Sequence, residues 1–338
     1  MTRYIVIGAG AIGGALGGRL THAGFETVLV ARGDHLRALQ TNGLRLRTPT
    51  EDLTVPVQAV GGPDELQLSA DDVLVVATKT QQAHDALVSW ADAAVLGGGT
   101  AGERLPVLMA LNGVASEELA LRYFRRVYGV CVWMPAVHLV PGEVVLRASH
   151  RSGMLHVGRV PAGADGADTA LLDRVATDWT AADYDVPRPE DVMAWKYRKL
   201  ISNLGNVFQA LVHTNGDAAP LVARAEAEAR GVLDGAGIAY VSDEEERAAR
   251  SAGFTMTPVP GVPDDVGGST WQSLRRGTGN VETDYLNGEI AYLAHRTGQQ
   301  APVNERLATL ARQAARSGLA PGDLSADELA ERLGLPAS

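Results

Sequence analysis

Along the first third of the chain, apolar residues gather in short continuous runs separated by stretches of helical periodicity. Tyr4-Ile5-Val6-Ile7 is the first run, and it stops at Gly8-Ala9-Gly10-Ala11-Ile12-Gly13 before a helix-like stretch to about Ala23. Thr27–Val30, Asp72–Ala77 and Pro106–Leu111 repeat the pattern, with a helix expected over Thr80–Ala94. Another helix is expected at Ser116-Glu117-Glu118, read as a cap and first-turn acids and nothing more. Continuous apolar strands of this kind suit a parallel sheet buried on both faces. From Val127 to Val160 the pattern changes to strands and turns, punctuated by Pro141-Gly142 and Ser152-Gly153, as for antiparallel strands extending that sheet. A helix over Thr169–Ala182 precedes the break at Pro187-Arg188-Pro189.

Beyond Pro189 nearly every segment has helical periodicity and no strand is longer than a few residues. The expected organisation is therefore α/β, with a Rossmann-type dinucleotide-binding domain over residues 1–187 and an all-α substrate domain over 188–338. In that setting the glycines have mechanical reasons. Gly8 permits the turn, Gly10 lets the backbone approach a pyrophosphate, and Gly13 lets helix and strand pack closely. The helix N-terminus, Ala11 and Ile12 included, then faces the phosphates. At the end of the second strand an acid would bond the ribose hydroxyl of NAD, whereas here Arg32 offers a guanidinium suited to the 2′-phosphate of NADP. Asp34 keeps the ribose-hydroxyl alternative open.

Lys79 follows the third apolar run at a strand end that borders the ligand crevice, and it reads equally well as a ligand contact or a solvated lysine. Asn112-Gly113 is first a turn signal, and at a strand end its amide is also placed to meet nicotinamide or substrate. In the helical part, Lys199 and Asn203 share a helix face and Asn206 stays close to it, beside an apolar stripe of Leu200, Leu204, Val207 and Leu211. A lysine beside two amides points to a substrate surface, against the blander reading of an exposed polar stripe. Glu282 and Asp284 precede helical residues and read equally as N-terminal helix charges. Ser269, Thr270 and Ser273 supply hydroxyls after Gly267-Gly268, Ser325 to Glu328 has capping-box spacing, and Glu228 and Glu244 to Glu246 read as solvated helix charges.

Composition narrows the partners. The chain has 338 residues, 46% hydrophobic and 21% charged, which suits a folded protein of about two domains. Its formal charge of -10 argues against nucleic acid or anionic membrane surfaces. Cys131 is the only cysteine, which excludes an intrachain disulfide and a multi-thiolate zinc site and suits a reducing compartment. No metal site is expected, since the 8 histidines are scattered without an HExxH, and no GxSxG marks a serine hydrolase. The uncharged run Tyr4–Gly18 is too short to span a bilayer and too glycine-rich for a signal-peptide core, so cytoplasm is the expected compartment. Oligomeric state is not written in the pattern, and a homodimer is kept open as the assembly.

Taken together, GAGAIGG from Gly8 to Gly14, Lys79, Asn112-Gly113, the KLxxN run Lys199–Asn203 and ETDYLNG from Glu282 to Gly288 resemble the 2-dehydropantoate 2-reductases, or ketopantoate reductases, over almost the whole chain. The resemblance implies a Rossmann domain joined to a helical domain like that of 6-phosphogluconate dehydrogenase. It also implies NADPH as cofactor, and reduction of a 2-oxo acid, 2-dehydropantoate, to its 2-hydroxy acid in pantothenate synthesis. It makes Lys199 the general acid and Glu282 the carboxylate that orients it and binds a substrate hydroxyl. Asn203 and Asn112 would contact substrate, and Lys79 would lie by the nicotinamide ribose. Three positions depart from the family pattern. Val207 stands where many members carry a second asparagine, leaving Asn206 as the nearest amide; Tyr197 replaces a tryptophan; and Leu274 follows Ser273 where an aspartate is usual. A reductase of another small ketone or 2-oxo acid, and a non-catalytic NADP-binding redox sensor, are the alternatives.

Overall fold

The apolar runs form the strands of one eight-stranded sheet in the computed structural model, which describes residues 2–163, 165–213, 218–263, 267–277 and 279–335. Across the sheet the strands run Tyr184–Asp185, Gly153–Val160, Arg126–Trp133, Pro106–Met109, Asp72–Val76, Arg3–Ile7, Thr27–Val30 and Gln58–Val60. Every neighbouring pair is parallel except Arg126–Trp133 with Gly153–Val160, the antiparallel extension that the turn-rich pattern predicts. The chain builds outward from Arg3–Ile7 on one side, then returns to place Asp72–Val76 on the other. The switch point of the sheet therefore lies between these two strands, where ligands bind in folds of this kind.

Alternate side chains of the same strands enter two different cores. Tyr4, Val6, Val73, Val75 and Leu108 pack with Leu16 and Leu20 of the helix Ala11–His22 and with Trp179 of the helix Gly166–Ala181. Ile5, Ile7, Leu74, Val76 and Met109 pack with Ala83, Leu87 and Trp90 of the helix Thr80–Ala91. A sheet covered on both faces is what the unbroken apolar runs require, each large side chain contributing roughly 1.5–3 kcal/mol on burial.

A second, four-stranded sheet of Asp52–Val55, Leu44–Arg47, Glu143–Leu146 and Ala136–Val137 was not read from the sequence. Its strands are short, and in Leu44–Arg47 only Leu44 and Leu46 are fully buried, so the period-2 signal spans four residues. The helix Ala11–His22 meets both sheets through its glycines. A side chain at Gly17 would strike Leu29 of the large sheet, and one at Gly14 or Gly18 would strike Val144 or Leu44 of the small one.

By its contacts the chain divides into two units, Met1–Lys196 with Ser242–Val262, and Tyr197–Val241 with Pro263–Ser338. The expected boundary falls at residues 187 and 188 and the first division by contacts after Lys196, while the return of Ser242–Val262 to the first unit has no signal in the proline break. That return is anchored by Thr255–Met256, which pairs with Ala148–Ser149, and by Phe254 against Cys131, Trp133 and Met154. Glu246 is buried and paired with Arg250 at 2.9 Å, and Glu245 closes a capping box with Ser242, so of the three acids only Glu244 behaves as a plain solvated charge.

The second unit is helical and centres on Val207, Phe208, Leu211, Leu307, Leu310 and Leu329. Ser325 and Glu328 form the capping box that their spacing predicts, starting the helix Ala326–Leu333. Glu228 corrects its reading as a solvated charge. Its carboxylate accepts from the Val303 and Asn304 backbone N–H groups at 3.0 and 2.9 Å, and from the Asn304 side-chain amide, at the start of the helix Pro302–Ser317. A carboxylate there satisfies orphan donors and complements the helix dipole. Glu228→Ala is expected to cost about 1–3 kcal/mol and to lower the urea midpoint of the unfolding transition, and an unchanged midpoint would refute the capping role.

Candidate active site

The turn after Arg3–Ile7 is held open by crowding of backbone against backbone. Gly8 has φ +101°, and a side chain there would come within 2.9 Å of Thr78. A side chain at Gly13 would lie 2.1 Å from the Gly8 carbonyl oxygen, whereas one at Gly10 would meet nothing within 4 Å. The three glycines thus do different work: two permit close packing and the middle one leaves its approach clear. Gly10 caps the helix Ala11–His22 without a side-chain bond, and no acidic residue lies in the first turn. An uncapped helix start of that kind, with room over Gly10, suits a phosphate group, and a dinucleotide pyrophosphate fits this cradle.

Thr78 and Lys79 follow the neighbouring strand across the switch point. Lys79 is half-buried and stands at the N-cap of the helix Thr80–Ala91. The Thr80 hydroxyl donates to the Asn112 carbonyl at 3.2 Å, which draws the Lys79 junction to the Asn112-Gly113 turn. Gly113 has φ +76°, the left-handed conformation that explains glycine after Asn112. Arg32 is exposed after Thr27–Val30 and caps the helix Gly33–Asn42, its guanidinium making no hydrogen bond or ion pair among the described residues. Asp34 pairs instead with Arg37.

A buried ion pair braces the Asn112 turn, and no local pattern in the sequence signals it. Lys196, 3% exposed, donates to the Leu111 carbonyl at 3.0 Å and to the carboxylate of Glu117, itself 1% exposed. Glu117 lies inside the helix Ala115–Ala120, so it does more than charge a first turn, and its other oxygen accepts from Ser116. The lysine thereby fixes the peptide just before Asn112. The two partners are 79 residues apart, beyond the reach of any local pattern.

In the helical unit, Lys199 and Asn203 occupy the last two turns of the helix Val192–Asn203, both half-buried. The continuous helix expected through Asn206 is interrupted at Leu204-Gly205, and Asn206 begins a separate helix, Asn206–Leu211. Asn206 lies beside Gly268, where an added side chain would meet the Asn206 Oδ1 at 3.1 Å. Gly268 caps the helix Ser269–Arg275, and its N–H donates to Gln209 at 3.3 Å. In that helix Ser273 donates to the Ser269 carbonyl at 2.9 Å, Thr270 is buried, and the buried Ser269 hydroxyl has no partner among the described residues.

Glu282 is 3% exposed and starts the 3₁₀ turn Glu282–Tyr285, before the helix Asn287–Thr297. A carboxylate serving only a helix terminus belongs at the surface, where Asp284 indeed pairs with Arg312. Thr283, between them, is buried with its hydroxyl unpartnered among the described residues, a site candidate not singled out in the sequence. Val207 is buried in the apolar core with Phe208 and Leu274, so no polar group replaces the asparagine of the family pattern there. Among the described residues no group of three or more His, Cys, Asp or Glu side chains is arranged to hold a metal ion, and no helix is long and apolar enough to cross a membrane.

A glycine turn at the switch point of a parallel sheet, in a chain that continues into a helical unit, defines a Rossmann-type α/β protein. Within that class the chain belongs to the ketopantoate reductase family: residues 4–161 match ketopantoate reductase PanE/ApbA and residues 191–315 match its C-terminal part. It is similar to the 2-dehydropantoate 2-reductase of Pyrococcus abyssi, 24% identical over 89% of this chain and 94% of that one. Among solved structures it resembles the PanE/ApbA family ketopantoate reductase of Ralstonia eutropha JMP134, with a TM-score of 0.74, 26% identity and coverage of 93% and 99%. It shares its fold with a D-mandelate dehydrogenase solved with NADH and anilino(oxo)acetate, with a TM-score of 0.73, 20% identity and coverage of 93% and 99%. Family membership makes the chain an oxidoreductase acting between C=O and CH–OH, of the 2-oxo acid reductase kind.

Because Lys196 and Glu117 are buried together, removing one partner strands the other. Lys196→Met is expected to destabilise the protein by about 3–5 kcal/mol, and adding Glu117→Gln to recover at least half of that loss. Equal stability of Lys196→Met and wild type in urea denaturation would remove the pair from the account.

Proposed function

We propose that this protein reduces 2-dehydropantoate to its 2-hydroxy acid with NADPH, Lys199 providing the proton. The observation that carries the reading is Glu282, a carboxylate 3% exposed at the start of a short turn, in the same unit as a half-buried Lys199 with an amide one helical turn away. A buried carboxylate is costly to keep for surface charge alone, and a cation is its natural counterpart. NADPH rather than NADH is supported by the exposed, unpaired Arg32, with Asp34 already engaged by Arg37. The NADH named for the D-mandelate dehydrogenase structure supports a nicotinamide nucleotide in this fold.

When held by the glycine turn, a reduced nicotinamide nucleotide would supply a hydride to the carbonyl carbon of the 2-oxo acid and be left oxidised. As that C–H bond forms, the C=O π pair moves to oxygen, where the Lys199 ammonium stabilises the developing alkoxide. Its Nζ–H proton then passes to that oxygen, giving the hydroxyl, and the amine regains a proton from solvent. Glu282 holds the lysine in position and accepts from a substrate hydroxyl, while Asn203, Asn206 and Asn112 orient the oxo acid. The unpartnered Ser269 hydroxyl is a donor for the substrate carboxylate, and Thr270 and Ser273 shape that side of the pocket. On the cofactor side, Gly8, Gly10 and Gly13 with Ala11 and Ile12 cradle the pyrophosphate, Arg32 binds the 2′-phosphate and Lys79 the nicotinamide ribose.

The burial of Val207 in the apolar core favours a second reading of the substrate, a 2-oxo acid lacking the hydroxyl end of 2-dehydropantoate. Steady-state NADPH oxidation with 2-dehydropantoate beside pyruvate, branched and aryl 2-oxo acids separates the two, preferred turnover of 2-dehydropantoate being the expected result. Lys199→Ala is expected to lower kcat by about 10²–10⁴-fold with NADPH affinity kept within about threefold. Wild-type turnover in that variant would end the proton-donor role. Arg32→Ala is expected to weaken NADPH by about tenfold or more while leaving NADH nearly unchanged, and equal losses for both would end the phosphate role.

A further inference from the structure

His35 connects three pieces of the first unit that are distant in sequence. It lies on the helix Gly33–Asn42, and its Nε2 is 2.7 Å from the carbonyl of Ala9, inside the glycine turn. Its Nδ1 accepts from the Gly142 N–H at 2.9 Å. The Gly142 donor leaves one arrangement of the ring: a bare Nδ1, the proton on Nε2 donated to Ala9, and no charge. The same Ala9 is held from its other side, its N–H donating to the Val30 carbonyl at 3.0 Å. Gly142 is fixed in turn, with φ +81° and its carbonyl accepting from Arg45 N–H at 2.8 Å.

We infer that His35 is a positioning residue for the nucleotide-binding turn, its neutral ring clamping the Ala9 carbonyl so that the N–H groups beyond Gly10 keep their aim, and protonation of Nδ1 expelling the Gly142 N–H that anchors the ring. The inference rests on the proposed binding of a nicotinamide nucleotide at Gly8–Gly13. A second proton on Nδ1 would face the Gly142 N–H donor directly. Burial lowers the ring's pKa from the ordinary histidine value, the bond to Ala9 opposing this more weakly. The folded protein therefore favours the neutral ring, so the Gly142 anchor is complete above about pH 6.5 and is lost as pH falls through the ring's lowered pKa. Of the titratable groups around it, His138 packs its ring at 4.4 Å and places its own Nδ1 2.9 Å from the Glu143 carbonyl. The Glu143 carboxylate is engaged by Arg45 and Arg47, while Asp34 and Arg37 on the helix of His35 pair with each other and Arg32 is exposed.

The test is fluorescence titration of the full-length protein with NADPH from about pH 5.5 to about pH 8, together with kcat at saturating NADPH, for wild type, His35→Phe and His35→Gln. His35→Phe removes both bonds and is expected to raise the NADPH Kd roughly tenfold at about pH 8, with kcat changed by less than about twofold. His35→Gln keeps a donor toward Ala9 but does not titrate, so its Kd is expected to stay within about threefold of wild type at that pH and to rise less as pH falls. The 2′-phosphate of NADPH titrates near pH ~6 in every sample, so the difference between the wild-type and His35→Gln profiles isolates the ring. Tight NADPH binding by wild type with both variants matching it at every pH would overturn the inference alone. Failure of wild type to bind NADPH or NADH would overturn the nucleotide reading and this inference with it.

Discussion

The close approach of the helix Ala11–His22 to the Gly8 turn is the constraint on which the first unit depends. Four glycines in a twelve-residue helix cost roughly 2–4 kcal/mol of helix propensity against alanine. They are kept because no side chain fits. At Gly13 a Cβ would stand 2.1 Å from the Gly8 carbonyl, and at Gly17 and Gly18 it would enter Leu29 and Leu44. The helix can therefore lie flush between two sheets, with its uncapped start at the switch point of the larger one. Moving the helix outward by the width of a methyl group would displace the Gly8 turn and the leucine packing together.

Other contacts in the first unit transmit that placement to the edges of the cradle. Thr80 ties the start of one crossover helix to the Asn112 turn, and Lys196 with Glu117 fixes the peptide immediately before it. His35 does the same for Ala9. Each contact acts on a backbone carbonyl, so the geometry of the turns depends on side chains far away in the chain. The helical unit uses burial instead, placing Glu282 and the Thr283 and Ser269 hydroxyls out of water, and among the described residues the two hydroxyls have no partner.

What could be read from the residues alone was whatever is encoded locally. The strand, glycine turn and helix of the first twenty residues, the turn at Asn112-Gly113, and the capping box at Ser325 all depend on neighbours a few positions away, and all are present. The role of Glu117 was not legible, because its partner Lys196 lies in another helix and an acid in a first turn has an adequate local explanation. Glu228 was hidden in the same way by the helix it caps. The helix expected through Asn206 has no proline to announce its interruption at Leu204-Gly205, and the small sheet gives only two fully buried leucines in its Leu44–Arg47 strand. Of the candidate site, the residue types were readable. The burial that separates Glu282 from Asp284, and the pairing that separates Ser273 from Ser269, belong to tertiary structure.

Hydride transfer from a nicotinamide nucleotide to the carbonyl carbon of a 2-oxo acid is the reaction proposed for this protein. Isotope transfer tests it most directly, using NADPH carrying deuterium at both C4 positions of the nicotinamide and mass spectrometry of the product. The account predicts a 2-hydroxy acid with one deuterium on the carbinol carbon, formed in equal amount to the NADPH oxidised. Unlabelled product, or oxidation of NADPH with the oxo acid recovered unchanged, would contradict it.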